Sequence, residues 1–494
     1  MTVDAPPAAV EPATDRAGAA GRLDAAWWLL PPLVLAVLGG WLVARHYGFW
    51  YDELFTAEMA RLSGGQLAEA VVRGEGTIEY LRDAPPSYNA PYYAVVRLWL
   101  ALTPFGPDEV GLRLLSLVAS VAAAAVFTRA VTRLAGRRTG LIAGLVLAAN
   151  PFVVAYAGEA RGYALALLAT AVTALGLARW LDGERGGLAV YGAAAAAGLA
   201  HWFALLVPAA FAVAALLIRR RSALPLVGAT VLAMVPALGL LAIVVANGVG
   251  GSGAEWIRDA GLGVPLKVLR SWTGGHAALL VAMAVAVVAG AASARRADGT
   301  ARVVGLCWAV LPVVAVTAAQ VIRPVYVDRY LLPAAMGLAV LAALGLARVP
   351  DRLLPLAVAG LLVPSAVATV SNLGQGPRED VRGAVALVAA DHRPGEPVVA
   401  AARWDALGVD HYTRRHHPQL SPDVVLPSSP VPDAPAVWVV RRATGGVKGD
   451  GVRLGDLDRD LGERGLRVVV EHRAEGRRSV VLVQRWETPA GASG

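Results

Sequence analysis

Apolar runs long enough to cross a bilayer recur along most of this 494-residue chain. Residues 26–44, 301–320 and 353–370 each approach the ~20 apolar residues that a spanning helix needs. Backbone in hydrocarbon must satisfy its own hydrogen bonds, so such runs fold as helices packed into a bundle. Charged residues make up only 17% of the chain and mean hydropathy is +0.54, whereas soluble domains carry about 25% charge. A large soluble enzyme of several domains is excluded. The chain reads as a polytopic α-helical membrane protein.

The net charge of +8 is carried almost wholly by arginine. These arginines sit in short clusters between apolar runs, which is a topology signal, so no nucleic-acid partner is expected. Cys307 is the single cysteine and lies inside an apolar run. That excludes an intrachain disulfide and a cysteine-based metal site.

Apolar segments fall at about 26–44, 112–134, 140–157, 162–181, 188–202, 203–218, 223–246, 276–293, 301–321, 330–347 and 353–371. With a cytoplasmic N-terminus, the clusters Arg133/Arg137/Arg138, Arg179/Arg185, Arg219/Arg220/Arg221, Arg295/Arg296/Arg302 and Arg348/Arg352 all fall inside. Segment 91–103 is short and contains Arg97. Counting it as a span would invert every later loop, so it reads as an interfacial or re-entrant helix. The expectation is a disordered cytoplasmic stretch at 1–25, then about eleven transmembrane helices across 26–371, with a first outer loop at 45–111. Residues 372–494 are polar, with strand-like runs at 397–401, 436–440, 467–471 and 479–484 and helical patterns at 380–391 and 454–464. They predict a small extracytoplasmic α/β domain, with the Pro-rich stretch 421–435 as an irregular loop. No Walker A or HExxH motif is present.

Polar groups gather where these spans reach the outer face. Tyr51-Asp52-Glu53 follows the first span. An acid at a low-dielectric boundary suits a general base, and the same Asp52 suits a cap for a helix over 54–62. Glu159 and Arg161 lie in the turn Gly158-Glu159-Ala160-Arg161-Gly162-Tyr163, where they either pair with each other or face a substrate. His201-Trp202 marks another outer turn, and Asp328-Arg329-Tyr330 closes a fourth. Guanidinium forks match phosphate oxygens as well as lipid headgroups, and Lys267 and Arg270 add charge on the same side. Asp405, Asp410, His411, His416 and His417 form a local cluster that reads as a solvated loop rather than a metal site.

In this order and on one side, the motifs resemble the GT-C superfamily of integral-membrane glycosyltransferases, in the branch of protein O-mannosyltransferases and lipid A aminoarabinose transferases. The resemblance covers about residues 45–400. It is carried by Tyr51-Asp52-Glu53, Gly111-Leu112-Arg113-Leu114-Leu115-Ser116, Glu159-Ala160-Arg161-Gly162-Tyr163, His201-Trp202-Phe203, Asp328-Arg329-Tyr330 and Arg378-Glu379-Asp380-Val381-Arg382-Gly383. It implies a polyprenyl-phosphate-linked sugar donor of mannose or arabinose type. The acceptor would be a hydroxyl on a protein, glycolipid or polysaccharide of the cell envelope, reached at the outer face of the plasma membrane. Asp52 would then be the catalytic base with Glu53 beside it. Arg329, Arg161, Lys267 and Arg270 would meet the donor phosphate, and Glu159, Tyr163, His201, Trp202 and Tyr330 would line the substrate site. Related sequences carry His-Pro-Pro where this chain has Ser87-Tyr88-Asn89-Ala90-Pro91-Tyr92, so participation of a divalent metal ion stays open. A polyprenyl-diphosphate-dependent ligase or polymerase and a non-catalytic envelope scaffold are the alternatives. A transporter would place its charges near the bilayer midplane instead.

Overall fold

A computed structural model of the chain describes residues 26–74, 78, 89–247, 257, 259–292, 299–427, 429–443 and 450–488. The expected disordered stretch 1–25, and Ser87 and Tyr88 of the divergent motif, lie outside these residues. Among the described residues, seven helices are long and apolar enough to cross a membrane, or eight if a bent pair is one span. That pair, Gly261–Trp272 and Ala277–Ala291, meets at 108°. The protein is a multi-pass helical membrane protein with a small C-terminal sheet domain.

Two of the seven are folded back on themselves. Helix Glu109–Ala148 breaks at Gly136, whose φ of +85° is open to glycine and strained for other residues. Its two arms then lie side by side, because a Cβ on Gly140 would strike Thr132 and one on Gly144 would strike Thr128. The stretch Trp202–Ala246 turns at Arg219–Ala223 in the same manner. There Tyr191 donates to Pro208 O at 2.9 Å and meets the Thr230 hydroxyl at 2.7 Å, tying both arms to one helix. The expected pairs of spans at 112–134 with 140–157, and at 203–218 with 223–246, correspond to these arms.

Segment 91–103 forms the helix Ala90–Leu102, too short to count as a span. It packs with Tyr51–Arg61 and Gly64–Arg73, which precede it in the chain. Ser63 caps the second of these helices, accepting from the Gln66 N–H at 3.2 Å, and Gln66 returns a bond to the Ser63 N–H.

The C-terminal sheet contains β1 (Val398–Ala400), β2 (Val424–Val425), β3 (Ala436–Arg442), β4 (Arg467–Glu475) and β5 (Val480–Glu487), in the order β2-β1-β3-β5-β4. The β1 pairings are parallel, and those of β5 are antiparallel. Strand β3 is buried along both faces over Ala436–Val440, as its continuous apolar run requires. The residues read as a solvated loop around Asp405 and His411 are instead the helix Arg403–His416. Its buried stripe of Ala406, Leu407, Val409 and Tyr412 packs with Phe49, Leu54, Tyr92 and Tyr93 of the segment between the first two membrane helices. The sheet domain and that segment therefore share one core. Tyr412 accepts from the Phe49 N–H at 2.5 Å and donates to Glu109 at 3.2 Å, which fixes the chain entering Trp50.

Candidate active site

Helix Tyr51–Arg61 begins at Trp50, so Asp52 and Glu53 both lie in its first turn rather than at its cap. Carboxylates there are favoured by the unpaired N–H groups of the helix start. Successive residues point about 100° apart around a helix, and the two acids part company.

Glu53 turns into the protein and is 1% exposed. Its Oε1 accepts from Arg113 Nε at 2.9 Å and from the Ala160 N–H at 2.9 Å. Its Oε2 accepts from Arg113 Nη2 at 2.6 Å and from the Trp50 N–H at 3.4 Å. Arg113 donates further to Tyr47 O at 2.6 Å and Gly48 O at 3.1 Å. Every lone-pair direction of Glu53 is engaged. Glu53 thus ties the segment 47–61 to the membrane helix carrying Arg113 and to the turn at Ala160.

Asp52 faces Arg329, which donates from Nη2 to Asp52 Oδ2 at 3.2 Å, with the carboxylate side chain 15% exposed. Arg329 opens the 3-10 turn Asp328–Ala334 and donates from Nε to the Tyr163 hydroxyl at 2.7 Å. Its guanidinium carbon lies 5.4 Å from the Trp50 ring and 5.9 Å from that of Tyr330. Arg161 holds the backbone of the same motif, donating to Asp52 O and to the Tyr93 hydroxyl, each at 3.3 Å. Tyr163, His201, Tyr330 and Phe203 form a continuous aromatic wall, with Phe203 and Tyr330 stacked at 4.5 Å. Burial, together with Arg329 and Arg161, pushes His201 down to about 3, so its ring is neutral.

Glu159 does not pair with Arg161. It accepts from Arg378 Nη1 at 3.1 Å, and Arg378 also donates to the Tyr156 hydroxyl at 3.3 Å and lies 3.9 Å from the Trp50 ring. Burial raises Glu159 to about 7 against the opposing pull of Arg378. Its Oε1 is buried without a hydrogen-bond partner. A cavity of about 500 Å³ opens here, lined by Trp50, Glu53, Glu159, Asp328 and Arg378 among others. Its lining includes Trp50, Glu53 and Asp328, which flank Asp52 and Arg329 in the chain, but not that pair itself.

Of the remaining expected residues, Arg270 lines this cavity. Lys267 is exposed, stands by Asp259 and is not part of the cavity lining. Trp202 is partly buried and packs against a cluster of Leu199, Ala237 and Leu240. Trp50, Tyr93 and Tyr156 were missed as site residues. Trp50 adjoins the acidic motif, and Tyr156 sits in an apolar run where nothing in the pattern separates it from core. Among the described residues no group of three His, Cys, Asp or Glu side chains is placed to hold a metal ion.

The fold has known counterparts. The crystal structure of ArnT from Cupriavidus metallidurans superposes with a TM-score of 0.57 at 16% identity, over 94% of this chain and 98% of that one. Its complex with undecaprenyl phosphate matches with a TM-score of 0.56 at 17% identity, over 95% and 99%. The chain has the GT-C fold. The archaeal oligosaccharyltransferase AglB from Archaeoglobus fulgidus, solved with an inhibitory peptide and a dolichol-phosphate, matches at 0.50 and 12% identity. The match spans 80% of this chain but 64% of AglB. No protein-family model and no curated protein sequence matches the chain.

Proposed function

We propose that the protein is a membrane glycosyltransferase that moves a mannose- or arabinose-type sugar from a polyprenyl-phosphate donor to a hydroxyl acceptor of the cell envelope. The observation carrying this reading is the Asp52–Arg329 pair, 3.2 Å apart and built from segments 277 residues distant in sequence. It supplies a carboxylate and a guanidinium together at the end of the helical bundle, in a fold whose solved example holds undecaprenyl phosphate.

In this mechanism Asp52 takes the proton of the acceptor hydroxyl as that oxygen attacks the anomeric carbon. The bond from that carbon to the phosphate oxygen breaks on the opposite side, and the configuration inverts. The electron pair leaves on polyprenyl phosphate, whose charge Arg329 balances as Arg161 steadies the Asp52 backbone. The aromatic wall of Tyr163, His201 and Tyr330 packs on the sugar or the first prenyl units. The site faces the outside of the plasma membrane, with the N-terminus in the cytoplasm and the sheet domain covering the site.

The test is transfer by purified protein in lipid, offered a panel of radiolabelled polyprenyl-phosphate sugars and an envelope acceptor fraction. Turnover with one donor should fall about 10²–10⁴-fold in Asp52→Asn, the usual worth of a general base. Full activity in that variant removes Asp52 from the mechanism. Activity only with diphosphate-linked donors assigns the chain to the ligase class.

A further inference from the structure

A second cavity, of about 330 Å³, opens between the helices Trp27–Ala44, Glu109–Ala148 and Tyr163–Leu181. Trp27, Trp28, Arg129, Arg133, Arg179 and Glu184 are among its lining residues. It lies at the end of the bundle away from Asp52. Arg129 follows Arg113, the partner of Glu53, by sixteen residues along one helix, and Trp28 precedes Ala44 by sixteen along another. At 1.5 Å per residue both intervals span about 24 Å, most of the ~30 Å depth of the hydrocarbon layer.

Arg129 is the one charged residue between Arg113 and Arg133. It is exposed, and its guanidinium carbon lies 3.9 Å from the Trp28 ring. Among the described residues it makes no hydrogen bond or ion pair. The turn at Gly136 lies seven residues further on, about 10 Å along the axis. A guanidinium at that depth reaches along the helix toward the headgroup layer and takes an anion there. Arg137 lies 4.9 Å from the Trp27 ring, so the two indoles form an interfacial belt that carries guanidiniums. Arg133 and Arg179 are engaged differently. Arg133 donates to Asp182 at 3.2 Å and to Glu184, and Arg179 Nε donates to Glu184 at 2.8 Å. Arg129, Arg133 and Arg179 thus face two carboxylates, and the charge left over is that of Arg129.

We infer that this cavity holds the headgroup of an anionic phospholipid from the leaflet at this end of the bundle. Arg129 meets the phosphate, and Trp27 and Trp28 lie along the glycerol and the first acyl carbons. A zwitterionic headgroup would bring its own ammonium to a cluster that already carries one excess positive charge, which sets the preference for net negative lipid. The lipid fastens the first span, through Trp28, to the second through Arg129 and to the third through Leu175 and Arg179. The site shares no lining residue with the cavity beside Trp50. Binding there stands whether or not the chain transfers sugar.

The test uses the full chain in phosphatidylcholine nanodiscs doped with a phosphatidylglycerol that carries a photoreactive diazirine near its ester carbons. Mass spectrometry locates the adducts, which should fall on the segment 175–179. A photoreactive phosphatidylcholine at the same dose should label that segment about fivefold less. Arg129→Gln should lower phosphatidylglycerol labelling about fivefold or more, through loss of a charge-assisted bond. Arg129→Lys keeps the charge and should retain most of the labelling, which separates lost binding from lost fold. Arg221→Gln makes the same charge change outside the cavity, in the turn that Arg219 fastens to Leu181 O at 2.6 Å, and should leave labelling unchanged. Equal labelling by the two lipids, or by wild type and Arg129→Gln, overturns the proposal. An equal loss in Arg221→Gln makes the effect a general surface attraction and overturns it too.

Discussion

Replacing Glu53 by glutamine separates a clamp from a catalyst. In the wild type the carboxylate accepts four hydrogen bonds, two from Arg113 and two from backbone N–H groups. The amide keeps one acceptor oxygen and turns an NH2 group toward donors. Arg113 is 9% exposed, so its charge cannot escape to water. Removing one partner of such a buried pair costs about 3–5 kcal/mol. Two carbonyls, Tyr47 O and Gly48 O, still accept from Arg113, which argues for the lower end, about 3 kcal/mol. Unfolding of Glu53→Gln in detergent, followed by tryptophan fluorescence, should show this loss. In the Glu53→Gln/Arg113→Met double variant much of it should return, because the orphaned charge has gone. Transfer activity should fall in step with the folded fraction. A Glu53→Gln protein that melts like wild type yet has lost turnover would refute the reasoning and make Glu53 a reacting group.

Two further outcomes follow from the same geometry. Burial holds Glu159 at about 7, above the 4.5 ordinary for a glutamate. The folded state then binds more protons than the unfolded state between those values, so this group's stabilising contribution is present below about pH 4.5 and is lost as pH rises to about 7. Melting temperatures measured across that window should show a slope that Glu159→Gln flattens. Tyr163→Phe removes the hydroxyl that accepts from Arg329 Nε at 2.7 Å, and a bond to a charged group is worth about 1.5–3 kcal/mol. The unfolding midpoint should fall accordingly and donor KM should rise with it, since Arg329 loses the group that orients it; a fallen midpoint with unchanged KM assigns Tyr163 to the core instead.

The helical membrane class was legible because hydrocarbon leaves the backbone no alternative to internal hydrogen bonding. Run length alone therefore located the apolar helices. Strands β1, β3, β4 and β5 were legible too, from β-branched runs bounded by turn residues. The two-residue β2 and the helix Arg403–His416 were not. The helix carries its apolar residues among Asp405, Asp410, His411 and a terminal Arg-Arg-His-His. Those charged residues mask its apolar stripe, which the partner surface at Phe49 and Tyr92 explains.

Site residues divided along the same line. Motif order brought Asp52, Arg161, Tyr163, Arg329 and Tyr330 to one end of the bundle, because loops on one face of a bundle are neighbours whatever their sequence distance. It did not say which acid of Tyr51-Asp52-Glu53 faces inward. That choice belongs to Arg113, a lone arginine early in an apolar run. Its burial requires a carboxylate, and only Glu53 points the right way around the helix. Nor did sequence spacing foretell that Glu159 would leave Arg161, two residues away, for Arg378, 219 residues away. The two side chains diverge in the tight turn before Tyr163, and Arg378 arrives because the hairpin tip at Arg477 and Arg478 ties its backbone down. Tertiary pairing of buried charge therefore decides which residue of each motif meets the cavity.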